Sequence, residues 1–121
     1  MDDAAEIVKQ AEAVYGARNL EAAVSMFADD AVIIWNAREV ARGNDAVKAF
    51  HESFFDPAIT NLTLQKTLIA TSNDVIAVEW FATWVNPDGS RAEQTAAEHW
   101  FMQGNKLKEW RAFVTTRRIN D

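Results

Sequence analysis

Residues 95–101 read Thr-Ala-Ala-Glu-His-Trp-Phe, and this stretch places one carboxylate, Glu98, among small and aromatic residues. Its composition predicts a β-strand, in which successive side chains point to opposite faces of the sheet. Alternation puts Ala96, Glu98 and Trp100 on one face and Ala97, His99 and Phe101 on the other. Glu98 is therefore either a surface charge on a half-exposed sheet or a carboxyl group held in an apolar pocket.

The turn before this strand predicts which residues lie opposite it. Residues 86–89, Asn-Pro-Asp-Gly, have proline at the second position and glycine at the fourth, as in a type I turn. With Gly89 in the left-handed conformation, the turn makes a short hairpin loop that pairs Asn86 with Ser90. Counting outward predicts that Val78 lies opposite Glu98, Trp80 opposite Ala96 and Ile76 opposite Trp100.

One face of the predicted hairpin is much more apolar than the other, so it should be the face that meets the helices. That face carries Ile76, Val78, Trp80, Ala82, Trp84, Ala96, Glu98 and Trp100. A shift of one residue would bury Glu79 and expose Trp80 and Trp84, which disfavours that register. Buried Glu98 should be paired, hydrogen-bonded or raised in pKa. A Glu98 that bonds a core hydroxyl or indole N–H without any chemical role fits the same pattern.

The hydrophobic pattern elsewhere predicts three helices before the long strands. Asp2 and Asp3 are the N-cap candidates of a first helix that ends near Gly16, and Asn19 caps a second helix over 20–28. Asn44 is expected as the N-cap of a third helix, which ends at 56–57.

Strands and turns fill the rest of the chain. Residues 29–30 are expected as a turn, 31–35 as a short strand, and 36–42 as a second short strand or a tight ribbon. Long antiparallel strands are expected over 62–70, 75–85, 91–103 and 107–116, with a polar tail over 117–121. Helices on one face of a curled, mostly antiparallel sheet define an α+β fold.

Composition limits the classes of function. A length of 121 residues suits one domain over 1–121, and a net charge of −6 argues against nucleic acid or an anionic membrane as partner. Without cysteine there is no disulfide, thiolate nucleophile or thiolate metal site. No signal peptide or membrane-length apolar run is visible, so we expect a cytoplasmic protein.

Three segments resemble the nuclear transport factor 2-like superfamily, which includes SnoaL-like polyketide cyclases and ketosteroid isomerases. Residues 19–32, Asn-Leu-Glu-Ala-Ala-Val-Ser-Met-Phe-Ala-Asp-Asp-Ala-Val, are similar to the family's Asp-Leu-x-x-Leu-x-x-Leu-Phe-Ala-Asp-Asp-Ala. Residues 42–50 and 104–110 are similar to its Gly-x-x-Ala-Ile-x-x-Phe and Gly-Lys-Ile segments. The resemblance implies a cone-shaped roll with three N-terminal helices on a curved sheet. These motifs are structural and do not define the chemistry.

Compared with the isomerases of this superfamily, the chain matches few of the site positions. The resemblance places their proton-shuttling aspartate at Trp35 and their oxyanion-hole tyrosine at Ala11, with Tyr15 one turn later. Only their second oxyanion-hole acid has a match, since residues 98–100, Glu-His-Trp, are similar to Asp-His-Phe. Classical ketosteroid isomerase activity is therefore not expected. The resemblance also implies a homodimer through the outer sheet face, which would carry Phe81, Ala97, Phe101 and Phe113.

The candidate site is an aromatic cavity around Glu98, because five tryptophans are hard to pack together without leaving a void. Its expected ligand-binding residues are Trp35, Trp80, Trp84, Trp100, Trp110 and Val114. Packing of each tryptophan as core is the alternative. Asn36 and Arg38 are expected near the opening and His51 and His99 on the surface, with no metal site.

Two functions fit these observations. The first is an enzyme without a cofactor that isomerises, cyclises or hydrolyses a small hydrophobic molecule, with Glu98 as general acid or base and its pKa raised by burial. The second is a non-catalytic ligand-binding or dimerisation module of the same fold. If Glu98 is sealed from solvent and fully bonded by its neighbours, catalysis by this residue is not expected.

Overall fold

The computed structural model describes residues 1–119, which form three helices and one six-stranded sheet. The helices are α1 (Ala4–Gly16), α2 (Leu20–Ser25) and α3 (Asn44–Phe54). The strands are β1 (Phe27–Trp35), β2 (Arg38–Arg42), β3 (Thr60–Ser72), β4 (Val75–Val85), β5 (Arg91–Gln103) and β6 (Lys106–Ile119). No helix within residues 1–119 is long and apolar enough to cross a membrane.

The sheet order is β2-β1-β6-β5-β4-β3. Strands β1 and β6 run parallel, and every other neighbouring pair is antiparallel. The helices pack on the apolar face of this curved sheet, which confirms the predicted α+β class. Strands β3 to β6 pair in the order in which they follow along the chain and so form a continuous meander, with β1 beside β6.

Local sequence explains where the first two helices begin. Asp3 Oδ1 accepts a hydrogen bond from the backbone N–H two residues on (2.9 Å), and Asn19 Oδ1 accepts one from three residues on (3.1 Å). These bonds satisfy amides that the first helical turn leaves without partners, and both predicted caps are confirmed. The N-cap of α3 is Gly43 rather than the predicted Asn44, and its φ of +86° is a conformation that favours glycine.

Three predicted boundaries are wrong because tertiary contacts override the local pattern. Helix α2 ends at Ser25 rather than at 28, since Phe27 begins β1 and is buried opposite β6. Residues 29–30 belong to β1 rather than to a turn. Strand β6 continues through 117–119, where a tail is predicted, because these residues pair with 91–93 of β5. The last two residues of that predicted tail lie outside the described part of the chain.

The β4–β5 hairpin has the predicted register. The Asn86 N–H donates to the Ser90 carbonyl oxygen (2.8 Å). The cross-strand pairs are Val78 with Glu98, Trp80 with Ala96 and Ile76 with Trp100. The inner face is buried, with Glu98 only 1% exposed, whereas His99 on the other face is exposed as predicted. The turn therefore determines which side chains of this hairpin enter the core.

Candidate functional site

Glu98 lies in the middle of β5 and is sealed from solvent by the groups that bond it. Its Oε1 accepts hydrogen bonds from the indole N–H groups of Trp110 (2.6 Å) and Trp100 (2.9 Å). Its Oε2 accepts one from Lys66 Nζ (3.1 Å), which makes a buried ion pair between β5 and β3. Both carboxylate oxygens are therefore satisfied by protein groups, as burial of a charged carboxylate requires.

Lys66 is the principal residue that the sequence analysis missed. Its Nζ lies 4.2 Å from the ring centroid of Trp80, 5.0 Å from that of Tyr15 and 5.6 Å from that of Trp100. Aromatic faces attract a cation, so these rings enclose the part of the ammonium that Glu98 does not contact. Burial lowers the pKa of Lys66 below its ordinary value, and the Glu98 carboxylate opposes that shift.

A second buried contact joins α1 to α3. The Tyr15 hydroxyl lies 2.7 Å from His51 Nε2, and His51 Nδ1 lies 2.8 Å from the Val47 carbonyl oxygen. Burial lowers the pKa of His51, so the ring is neutral at pH 7. A carbonyl oxygen only accepts, so Nδ1 carries the proton and Nε2 accepts the hydrogen bond that Tyr15 donates. Burial and the nearby Glu98 charge raise the pKa of Tyr15 well above its ordinary value, which keeps it a phenol.

The predicted surface position of His51 is wrong, since its exposure is 0%. It follows Val47 by four residues and so lies on the same buried face of α3. Lys66 carried a comparable signal, because it shares strand parity with the three leucines of the inner face of β3, which are Leu62, Leu64 and Leu68. In both cases a polar residue stood in phase with an apolar stripe.

A cavity of about 390 Å³ opens beside this cluster, between the helices and strands β3 to β5. Its volume falls in the lower part of the roughly 300–1,000 Å³ range of small-molecule pockets. Buried residues form its floor, namely Tyr15, Lys66, Trp80 and Ala82. Exposed or half-buried residues border its opening, namely Arg18, Ser53, Asp56 and Asn86. The rest of the wall consists of Phe54, Phe55, Ile59, Leu62, Leu64, Trp84 and Gln94.

The two indoles that line the cavity have no free N–H group. Trp80 Nε1 donates to Gln94 Oε1 (3.1 Å), and Trp84 Nε1 donates to Asn86 Oδ1 (2.9 Å). Each ring therefore presents aromatic carbon to the cavity. With the ammonium and hydroxyl of the floor also bonded to protein groups, a ligand would meet mainly apolar surface.

The structure brings together only part of the predicted aromatic cavity. Trp80 and Trp84 line it, whereas the other predicted site residues do not, namely Trp35, Glu98, Trp100, Trp110 and Val114. Glu98 lies behind Lys66 and bonds the indoles of Trp100 and Trp110, so those two rings fill the space around the carboxylate. Trp35 packs in the core, with its ring centroid 5.5 Å from that of Phe50.

The polar residues predicted near the opening also lie elsewhere. The Asn36 side chain accepts a hydrogen bond from the Val114 backbone N–H (2.7 Å), and Arg38 is exposed on β2. Neither lines the cavity, which opens near the end of α1 instead. Within residues 1–119, no group of three or more His, Asp and Glu side chains is placed to hold a metal ion.

Sequence comparison shows the class of protein that this fold and cavity represent. The family model of the SnoaL-like domain matches residues 8–110. The chain therefore belongs to the SnoaL-like domain family, and the predicted nuclear transport factor 2-like resemblance is confirmed. No protein with a curated description matches the chain in sequence.

Several solved structures share the fold. One is SalBIII, described as an epoxide hydrolase/cyclase-like enzyme in pyran ring formation, with a TM-score of 0.77, 22% identity and 95% of each chain covered. A second is RV0760c of Mycobacterium tuberculosis in complex with estradiol-17beta-hemisuccinate, with a TM-score of 0.73, 19% identity, and 93% of this chain and 97% of that one covered. A third is a computationally designed 17-OHP binder, with a TM-score of 0.74, 20% identity, and 94% of this chain and 98% of that one covered. At these identities the likeness shows the fold alone.

Proposed function

We propose that this chain binds a small hydrophobic molecule in the cavity beside Lys66. The observation that carries the proposal is the cavity of about 390 Å³, whose walls are aromatic and aliphatic and whose indole N–H groups are already bonded. Each Å² of apolar ligand surface buried there contributes roughly 25 cal/mol. Two neighbours of the same fold are named with a steroid derivative or as a 17-OHP binder, which supports this class of ligand.

A substitution that fills the cavity tests this proposal. Ala82 is 2% exposed and lies in the cavity floor, so Ala82→Phe should occupy the space that a ligand needs. Ala70 on β3 is exposed and lies outside the cavity, which makes Ala70→Phe the matched control. Intrinsic tryptophan fluorescence would be titrated with steroids, aromatic polyketide precursors, terpenoid epoxides and fatty acids.

Trp80 and Trp84 line the cavity and serve as reporters in that titration. We expect a saturable change for the wild type and for Ala70→Phe, and none for Ala82→Phe. A flat response of the wild type across the whole panel would contradict ligand binding, and equal responses of all three proteins would contradict this cavity as the site.

A second candidate function is that of an acid–base enzyme acting on the same class of molecule. The position of Lys66 in the cavity floor favours this candidate. Lys66 lines the cavity, its pKa is lowered by burial, and its Nζ lies 3.1 Å from a carboxylate that can exchange a proton with it. Glu98 would then act through Lys66 rather than touch the substrate. One neighbour of the same fold is described as epoxide hydrolase/cyclase-like. The chemistry that we propose uses no cofactor.

The double variant Lys66→Met/Glu98→Gln tests the catalytic candidate, because it removes both charges while keeping side chains of similar size. Product formation from a terpenoid epoxide would be followed by mass spectrometry beside ligand affinity. Loss of turnover with affinity retained would support acid–base chemistry at this pair. Undiminished turnover would exclude both residues as its acid or base.

We also propose a homodimer through the outer sheet face, defined here by Phe81, Ala97, Phe101 and Phe113. Phe81 and Phe113 are 42% and 50% exposed and border the same shallow concavity together with Ala97, and a contiguous exposed apolar patch is typical of an interaction site. Light scattering should show that Phe113→Glu gives monomers, whereas Val40→Glu, at a site that is 45% exposed on β2, does not. Dimers that survive Phe113→Glu would contradict the proposal. A cytoplasmic location stays a prediction.

A further inference from the structure

We infer that the ligand of the cavity is a hydrophobic carboxylic acid whose carboxylate binds Arg18 at the opening. This inference rests on the proposed binding function and specifies its ligand class. Arg18 follows α1, is half-buried and borders an otherwise largely apolar cavity. An arginine in that position fits a ligand whose apolar body enters the cavity while its charged group stays at the edge.

The structure holds the Arg18 side chain in place. Its backbone has a φ of +53°, and its N–H donates to the Tyr15 carbonyl oxygen (3.1 Å) at the end of α1. The side chain crosses to the segment between α3 and β3, where Nη1 donates to the carbonyl oxygens of Asp56 (3.0 Å) and Ile59 (3.1 Å). These two bonds use both hydrogens of Nη1 and orient the guanidinium before any ligand binds.

The other edge of this guanidinium is available. In the part of the chain that the structure describes, Nε and Nη2 of Arg18 have no hydrogen-bond partner, and Arg18 forms no ion pair. Nε and Nη2 together present the parallel donors that bind a carboxylate in a bidentate manner. Asp56 also borders the opening, but its Oδ1 accepts a hydrogen bond from the Ala58 N–H (2.9 Å) rather than from Arg18.

The second cation of the cavity is already neutralised. Lys66 is paired with Glu98 at 3.1 Å, and its side chain is 1% exposed. An anionic group placed deep in the cavity would have to compete with Glu98, whereas one at the opening would meet the unpaired Arg18. The chain as a whole carries a net charge of −6, so a preference for an anionic ligand would need a local cause of this kind.

A matched pair of ligands separates this inference from the proposed function. 1-Naphthylacetate and 1-naphthylacetamide have the same shape, and only the first has a carboxylate. Isothermal titration calorimetry at pH 7 would compare wild type, Arg18→Gln and Arg38→Gln. Arg38 is an exposed arginine on β2 outside the cavity, so its variant loses the same charge without touching the site.

We expect wild type and Arg38→Gln to bind the acid roughly tenfold or more tightly than the amide, as charge-assisted bidentate hydrogen bonds predict. Arg18→Gln should remove that preference while leaving the affinity for the amide unchanged. Equal affinities of wild type for acid and amide would overturn the inference and leave the proposed function standing. An Arg18→Gln variant that loses both ligands equally would make Arg18 a structural clamp and also overturn it. Binding of neither ligand would overturn the inference and count against the proposed function.

Discussion

Replacing Glu98 by glutamine should destabilise the fold far more than neutralising an exposed glutamate. The substitution keeps the size of the side chain and an oxygen that can accept from Trp100 and Trp110. It removes the charge that lies 3.1 Å from Lys66 Nζ and places an N–H₂ donor against the ammonium. Removing one partner of a buried ion pair costs about 3–5 kcal/mol, so we expect the free energy of unfolding at pH 7 to fall by ~3–5 kcal/mol.

The loss should depend on pH because Lys66 remains buried without its ion-pair partner. Burial already lowers the pKa of Lys66 below its ordinary value of 10.5, and removing Glu98 takes away the stronger of the two charges that oppose this shift, so that only Glu12 still opposes it. A lysine whose pKa is lower in the folded than in the unfolded state binds fewer protons when folded, so stability rises with pH between the two values. The variant should therefore regain part of the lost stability as the pH rises above 7 toward 10.5.

Urea unfolding followed by circular dichroism measures this effect at each pH. Glu79→Gln is the matched control, since Glu79 is exposed on the opposite face of β4 and its loss should change stability by at most ~0.5 kcal/mol. The double variant Lys66→Met/Glu98→Gln should recover most of the stability, because no unpaired charge is left. A loss for Glu98→Gln no larger than that of Glu79→Gln would refute the reasoning.

Three other predictions concern His51, Tyr15 and the glycines. Because burial lowers the pKa of His51 below 6.5, the unfolded chain binds more protons than the folded chain does below that pH. The thermal stability should therefore fall as the pH drops below 6.5, and His51→Gln should make that decline less steep. Tyr15→Phe leaves His51 Nε2 without its hydrogen-bond donor and should lower the free energy of unfolding by about 1–3 kcal/mol, measured by urea unfolding. An unchanged urea midpoint would contradict this prediction. Gly89→Ala, at φ +85°, should lower the free energy of unfolding by about 1–2 kcal/mol, whereas Gly16→Ala in α1 should leave it unchanged or raise it. Equal effects of the two substitutions would contradict this account.

Local patterns were sufficient to predict the fold class and the register of the central hairpin. Alternation along 95–101 and the turn at 86–89 together placed Glu98 opposite Val78 on the buried face, where the structure has it. Both signals act over a few residues, since strand alternation and turn geometry are properties of the adjacent backbone. Helix caps at Asp3 and Asn19 were predicted for the same reason.

The partners of the buried polar groups depend on residues that are distant in sequence. Lys66 reaches Glu98 across 32 positions, and Tyr15 reaches His51 across 36. A lysine or histidine within an apolar stripe can be a surface residue or a paired core residue, and no local feature distinguishes the two. Only the packed sheet and helices show that each has a partner that offsets the cost of its burial.

The sequence by itself determined a helix-and-sheet fold with a buried carboxylate among tryptophans. Only the tertiary structure decided that Lys66 pairs with this carboxylate, that Trp100 and Trp110 bond it, and that the cavity lies on the other side of Lys66. The physical reason is that periodicity specifies which face a side chain occupies. Whether the rings on that face pack together or leave a void depends on how elements from the whole chain meet.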